Sequence, residues 1–389
     1  MKIFHTADWH LGKVLQGVSM TEDQAYILKE FVEQVKLERP HCVIVAGDLY
    51  DRTLPPTEAV QLLNEVLETI VLDLEIPVLA IAGNHDSPSR LDFGSKMMEA
   101  KGFYVVGEYD AARKPTVLHD EHGEVHVHLV PFTDPSIVRH VLQDETVRNH
   151  DDAMRAIVEN IEQTKDEQAR HVFVGHAFVT AYGEEEENTC ESERPIAIGG
   201  AEYVSSRHLQ DFDYVALGHL HQAHRVKEEH IRYAGSPLKY SKSEANHEKG
   251  FYIVELAADG ETTIEKRTLT PRRDVRVIRA TMDEILSMPE SDDYVFVELT
   301  DDAAVLSPME KVRTVFPNAM HIERTFFGEK LKVEQEERIA RQALSDEELF
   351  AAFYEEVKGF KPSNETTTIF NEALSEWMQK ERETSPVKK

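Results

Sequence analysis

Positive charge is scarce in this chain. Lys and Arg total 43 against 72 Asp and Glu among 389 residues, a net charge of −29. That balance disfavours a general polyanion binder, which draws its affinity from Lys and Arg set against phosphates. Cysteine is nearly absent, with only Cys42 and Cys190. No disulfide framework is expected, and Cys42, inside the apolar run Cys42-Val-Ile-Val-Ala46, reads as an inert buried thiol. A cytoplasmic location is the corresponding expectation. Long apolar runs are missing too: none approaches the ~20 residues needed to span a bilayer. The opening Met1-Lys-Ile-Phe-His-Thr-Ala-Asp8 reads as a strand entering a polar loop, not as a signal peptide. What remains, 41% hydrophobic and 30% charged residues, suits a soluble chain of two or three domains.

The first two-thirds alternates strand and helix patterns. Lys2–Thr6, 42–46, 77–82, 171–174 and 214–217 are short apolar runs that predict buried strands. Between them, Leu28, Phe31, Val32 and Val35 form one helical stripe, and Val60, Leu63, Leu67 and Ile70 a second. Thr21, with Gln24 completing a capping box, and Thr57 are the expected caps. This alternation predicts an α/β sheet with helices on both faces. After about residue 270 the pattern changes. Strands at 275–278, 294–299 and 319–325 and a helix over 308–316 predict a small α+β domain. The segment 329–342 is highly charged and reads as a linker or solvated helix. Two amphipathic helices follow, one with Leu349, Phe350, Phe353 and Val357, the other with Ile369, Phe370, Ala373, Leu374, Trp377 and Met378.

Five motifs place metal-binding side chains directly after an apolar strand: Asp8-Trp-His10, Gly47-Asp48, Gly83-Asn84-His85-Asp86, Gly175-His176 and Gly218-His219-Leu-His221. Ligands in open α/β sheets bind beyond the carboxyl ends of the strands, where such loops converge. Each motif alone is weak, since Gly-Asp after a strand often marks a tight turn. All five together would require five coincidences on the structural reading. Carboxylate, imidazole and amide oxygen suit Mn²⁺, Zn²⁺ or Fe²⁺. The ligands are enough for two cations sharing one carboxylate, an arrangement that holds both the attacking and the leaving oxygen at phosphorus. Residues 225–279 carry twelve Lys/Arg and nine Asp/Glu, a local surplus of three positive charges that softens the overall acidity.

The ordered motif set resembles the calcineurin-like metallophosphoesterase superfamily. The wording His5-Thr-Ala-Asp-Trp-His-Leu-Gly12, Gly47-Asp-Leu-Tyr-Asp51 with Pro55-Pro56, and Ser192-Glu-Arg-Pro195 with Gly199-Gly200 is similar to the SbcD family of bacterial exonuclease subunits, relatives of the meiotic-recombination repair nucleases. The resemblance covers nearly the whole chain. It implies an α/β fold: a metallophosphoesterase β-sandwich flanked by helices, with a small α+β capping domain and a C-terminal helical hairpin. The expected domains are 1–270 (nuclease), 271–328 (cap, positioning DNA), 329–344 (linker) and 345–389 (partner-binding tail).

The resemblance implies that Asp8, His10, Asp48 and His221 hold one metal, and that Asp48, Asn84, His176 and His219 hold the second, with Asp48 bridging. His85 would be the non-ligand histidine that stabilises or protonates the departing sugar oxygen. Asp86 is a candidate orienter of an imidazole, and Arg90 a candidate phosphate contact. Asp51 stands where archaeal and eukaryotic relatives have histidine, so that residue's role does not transfer. The remaining implications are two Mn²⁺ ions, DNA as substrate and an SbcC-type ATPase gripped by the C-terminal helices. They extend to a homodimer giving a two-by-two complex, 3′ to 5′ degradation of duplex ends, and hairpin and single-strand cutting in DNA repair, recombination and replication. Two other readings share the motifs: a phosphoesterase acting on a small phosphoester such as a cyclic nucleotide, and a non-catalytic scaffold on the same fold.

Overall fold

The apolar runs pair into two six-stranded sheets. The computed structural model describes residues 1–181, 203–301, 303–324, 350–351, 354, 361–363 and 366–370. The first sheet runs in the order Thr262–Thr268, Gly250–Leu256, Lys2–Thr6, Cys42–Val45, Val78–Ile81, Phe103–Val106. Its last four strands are mutually parallel. The second sheet runs His224–Arg225, Ile231–Tyr233, Tyr214–Gly218, Arg170–His176, Gly123–Val130, Thr116–Asp120, with a parallel centre and antiparallel edges. Parallel strands buried on both faces need unbroken apolar runs rather than alternation; Cys42–Val45, Val78–Ile81 and Tyr214–Gly218 have them, while Lys2–Thr6 and Gly123–Val130 carry polar residues as well.

Ile3, Ile44, Leu79 and Ile81 of the first sheet face Val125, Val127, Val172, Val174 and Ala216 of the second across one core. The outer face of the first sheet is covered by helices α1 (Thr21–Glu38) and α2 (Thr57–Leu67), through Ile27, Phe31, Val35, Leu63 and Val66. The outer face of the second packs on a separate cluster that includes Val138, Met154 and Ile157 from the helices Pro135–Leu142 and His150–Glu162. The result is a β-sandwich flanked by helices. Two short helices, α3 (Pro88–Asp92) and α4 (Ser95–Glu99), follow the strand Val78–Ile81.

Two expected caps are not caps. Thr21 and Thr57 are the first helical residues, behind Met20 and Pro56, and neither helix start has a side-chain cap. Pro56, at ψ 155°, already sets the extended entry of α2. Gln24 is drawn off into the neighbouring loop: its Nε2 donates to Trp9 O and His10 O, and its Oε1 accepts from Gly12 N.

Strands Val275–Ala280, Tyr294–Leu299 and Ala319–Arg324 form a parallel three-stranded sheet with its own core around Val295, Val297, Val312 and Phe316. The helix expected over 308–316 stops at Val312. Leu15 and Met20 meet Val275, Tyr294 and Phe296 at the seam with the sandwich. The basic stretch 225–279 is largely spent on this chain's own acids. Lys239 pairs with Asp274 at 2.9 Å, Lys242 with Glu298 and Glu323 at 2.9 Å each, Arg273 with Asp23 at 3.4 Å, and Arg267 with Glu38 at 3.4 Å. The local surplus of positive charge is therefore not a free nucleic-acid surface.

Residues 325–389 form a second compact unit. Within it, the rings of the helical residues Phe350 and Phe370 stack at 4.0 Å. The linker, the Trp377 stripe and the 192–200 motif lie outside the described residues. No described helix is long and apolar enough to cross a membrane.

Candidate metal centre

The five motif loops meet at one end of the sandwich. The first sheet delivers Asp8 and His10 after Lys2–Thr6, Asp48 after Cys42–Val45, and Asn84, His85 and Asp86 after Val78–Ile81. The second delivers His176 at the end of Arg170–His176, and His219 and His221 after Tyr214–Gly218. Two glycines permit the approach. Gly47, at φ +90°, leaves no room for a Cβ against the His176 ring, and Gly83 none against Asp48. Asp8, His10, Asp48 and His219 themselves hold φ values of 53°, 46°, 50° and 104°. Four strained residues in one cluster mark a backbone bent to aim side chains.

Asp48 lies at the centre. Its Oδ2 stands 3.5 Å from His10 Nε2 and 3.4 Å from His176 Nε2, while its Oδ1 accepts from His85 N at 2.9 Å. His10 Nε2 and His221 Nε2 converge to 3.0 Å, and His176 Nε2 lies 3.0 Å from Asn84 Oδ1. Asp8 Oδ1 accepts from His219 N at 2.9 Å. The His219 ring packs against those of His176 and Phe178. The ring nitrogens facing away from the centre are anchored in two cases: His176 Nδ1–H donates to Ala46 O at 2.9 Å, and His221 Nδ1 lies 3.3 Å from Glu244 Oε1. Such outer hydrogen bonds fix the tautomer and leave Nε2 as the electron-pair donor.

The electrostatics call for a cation. Asp8, His10, Asp48, His219 and His221 are all buried. Burial pushes the Asp8 carboxyl up to about 7, and the neighbouring Asp48 charge adds to the rise. Burial alone would lower His176, but the Asp48 carboxylate reverses this and lifts it to about 9. Burial holds His10 and His219 well below the usual imidazole range. Asp8 Oδ2 and Asn84 Nδ2 are buried with no partner. The unpaired Asp8 oxygen, at the focus of two carboxylates, an amide oxygen and four imidazoles, fits a pair of divalent cations, whereas the Asn84 Nδ2 donor does not bear on them. Asp8, His10 and His221 form one group of metal-competent atoms, Asp8, Asp48 and His176 a second, and His10, Asp51 and His85 a third.

His85 is beside this cluster. Its ring lies edge-on to His10 at 4.6 Å, and its Nδ1 is 2.9 Å from Asp51 O. Asp86 does something other than orient an imidazole. Its carboxylate accepts from the backbone N–H groups of Leu49, Tyr50 and Gly83 at 3.1, 2.9 and 3.0 Å, tying two motif loops together. Arg90 is exposed on α3. Asp51 pairs with Lys13 at 2.9 Å and stands 3.6 Å from His10 Nδ1.

Four supporting residues escaped the sequence reading. Glu244 and Lys249 lie behind His221, and Tyr240 OH donates to Trp9 O at 2.5 Å. Gln24, read as a cap, braces the Asp8–His10 loop instead. None of Glu244, Lys249 and Tyr240 sits in a motif. A buried Glu–Lys pair five residues apart leaves no periodic signature by which to find it.

The calcineurin-like phosphoesterase family profile matches residues 1–223, and the type 5 capsule protein repressor C-terminal domain profile matches residues 271–358. The SbcD component of nuclease SbcCD from Staphylococcus saprophyticus is 35% identical over 363 residues, covering 92% of this chain and 94% of its own. Among solved structures, a dimetal phosphatase from Danio rerio aligns with 69% of this chain and 96% of its own at 13% identity, with a TM-score of 0.37. With the phosphoesterase profile lying over the converged loops and the relative's identity extending almost end to end, the chain belongs to the calcineurin-like phosphoesterases, in the SbcD family of nuclease subunits.

Proposed function

We propose that this chain is the DNA-cutting subunit of an SbcCD-type nuclease, working with two divalent cations, Mn²⁺ in the cell. The observation that carries the reading is the convergence of seven donor side chains from both sheets, six of them gathered about the Asp48 carboxylate. The resulting enzyme is a metal-dependent phosphodiesterase.

Asp8, His10, Asp48 and His221 would hold one cation; Asp48, Asn84, His176 and His219 would hold the other. When bound, the pair supplies Lewis acidity that neutralises phosphate charge and lowers the pKa of a water. The chain does the rest by position. Asp48 Oδ2, nearly equidistant from His10 and His176, is suited to a shared ligand. Asp86 and Gln24 keep the loops in register through backbone contacts. His85 is anchored by its Nδ1–H to Asp51 O, which aims Nε2 outward. In its protonated form, Nε2–H donates to the sugar oxygen as the P–O bond breaks, so that oxygen leaves as a hydroxyl. Arg90, exposed on the helix after the His85 loop, serves as a phosphate contact.

The division of labour follows the domains: 1–270 cuts, 271–328 positions the duplex, 329–344 links, and 345–389 binds an SbcC-type ATPase. The homodimer through the nuclease domain is what the family resemblance implies; Phe93 and Met97, 82% and 74% exposed at the two short helices that follow the His85 loop, are apolar side chains available to it. The complex acts in the cytoplasm on DNA ends, hairpins and single strands.

The test is cleavage of linear duplex and hairpin DNA with Mn²⁺, alone and with the ATPase subunit. Metal-dependent cutting that disappears in His85→Ala is expected. Turnover of a cyclic nucleotide without any DNA cutting would move the assignment to a small-molecule phosphodiesterase.

A further inference from the structure

The two metal positions are built unequally, and the inequality continues behind the ligands. The first has two carboxylates, Asp8 and the shared Asp48. The second has Asp48 and the neutral amide of Asn84. Behind the first, His221 Nδ1 faces a buried carboxylate, Glu244 Oε1, at 3.3 Å. Behind the second, His176 gives its Nδ1–H to a neutral carbonyl, Ala46 O, at 2.9 Å, and the nearest carboxylate oxygen, Asp8 Oδ1, stands 3.9 Å away, beyond hydrogen-bond reach.

Glu244 is held from several sides. Its Oε1 accepts from Tyr240 N at 3.2 Å and Ser241 Oγ at 3.0 Å, and its Oε2 meets Lys249 Nζ at 2.5 Å and Ser236 Oγ at 3.4 Å. Lys249 Nζ also donates to His221 O at 2.7 Å and Ser236 Oγ at 2.8 Å. One ammonium therefore grips both the backbone of the ligand and the carboxylate that backs its ring. Glu244 and Lys249 have side-chain exposures of 0% and 5%, so water does not dilute the pair.

We infer that Glu244, held by Lys249, is a positioning residue that makes the Asp8–His10–Asp48–His221 position the tighter of two unequal metal sites. The inference rests on the two-metal reading above. An anionic acceptor on the outer nitrogen of an imidazole makes the inner nitrogen a stronger donor, and losing such a partner typically costs about 10- to 100-fold in metal affinity. Loading is then sequential: the first position fills at low metal concentration and the second only later.

The experiment is a Mn²⁺ titration of the full-length metal-free chain, followed by calorimetry and by the electron paramagnetic resonance of free Mn²⁺. The wild type is expected to bind two ions in resolved steps. Glu244→Gln, which keeps an acceptor but loses the charge, should weaken the tighter step about 10- to 100-fold and leave the weaker step unchanged. Glu244→Asp should recover part of the loss, and it serves alone should the glutamine variant not fold. A merely structural role would lower the melting temperature of the metal-free chain without altering the ratio of the two affinities. Equal affinities in the wild type, or a parallel fall of both steps in Glu244→Gln, would overturn the inference while leaving two metals in place. If no Mn²⁺ bound to the wild type, the two-metal reading itself would fall, and this inference with it.

Discussion

Two buried groups of histidines occupy this sandwich, and they are opposites. At the strand ends, His10, His176, His219 and His221 surround Asp8 and Asp48, and Asp8 Oδ2 is left without a partner. On the second sheet, His128 Nε2 meets His171 Nδ1 at 3.0 Å, and His171 Nε2 lies 2.8 Å from Asp166 O. Those two rings are answered by one another and by a backbone carbonyl rather than by a carboxylate. Burial lowers His128 to about 3, so the pair stays neutral. Burying histidine is therefore not what marks a functional cluster. The mark is buried charge left unbalanced.

The largest expected effect breaks the imbalance at its centre. Asp48→Asn removes the shared carboxylate and should lower DNA cleavage about a thousandfold or more, with loss of Mn²⁺ binding by calorimetry. Near-normal binding and cutting would show that Asp48 bridges nothing. Next, His85→Ala should cut turnover by about 10²- to 10⁴-fold yet leave both Mn²⁺ affinities intact. A fall in metal affinity instead would make His85 a ligand.

The second cluster gives a stability effect with a defined sign. A histidine whose folded pKa lies near 3 against 6.5 unfolded is protonated first in the unfolded chain. Its burial therefore costs nothing at pH 8 and increasingly destabilises the fold as pH drops from about 6.5 toward 3. At pH 5 the cost from His128 is about 2 kcal/mol. His128→Gln should lessen the loss of stability between pH 8 and pH 5 by about that amount in urea titrations, with Mn²⁺ binding unaffected. An unchanged pH dependence would mean the pair is already charged or solvated. The smallest effect lies outside both groups. Arg90→Ala should raise KM for DNA several-fold with kcat preserved, and flatten its salt dependence by about one phosphate contact.

Much of the centre could be read from the chain because each donor sits beside a strand whose apolar run announces itself. Asp8, Asp48, Asn84, His176 and His219 all lie at or within a few residues of the ends of such runs. The supports could not be read that way. Gln24 matched the spacing of a capping box, yet its amide is used by a loop that local sequence does not reveal. Asp86 stands next to a histidine in sequence but serves three backbone amides in space. Glu244 and Lys249 lie more than twenty residues beyond His221, and only folding brings them behind it. The positive stretch 225–279 was legible as charge but not as pairing, since several of its acidic partners, Asp23, Glu38, Glu298 and Glu323, come from α1 and from the small sheet. Local pattern records what a residue type permits; long-range contacts decide how it is spent.

The centre draws on both sheets, with Asp8 through Asn84 supplied by one and His176 through His221 by the other. A chain emerging from the ribosome therefore exposes half of a catalyst long before it exposes the rest. Until His221 is released and the second sheet closes on the first, a growing chain cannot bring the two sets of side chains together. The site is thus assembled only with the completed sandwich, last in the order of synthesis rather than first.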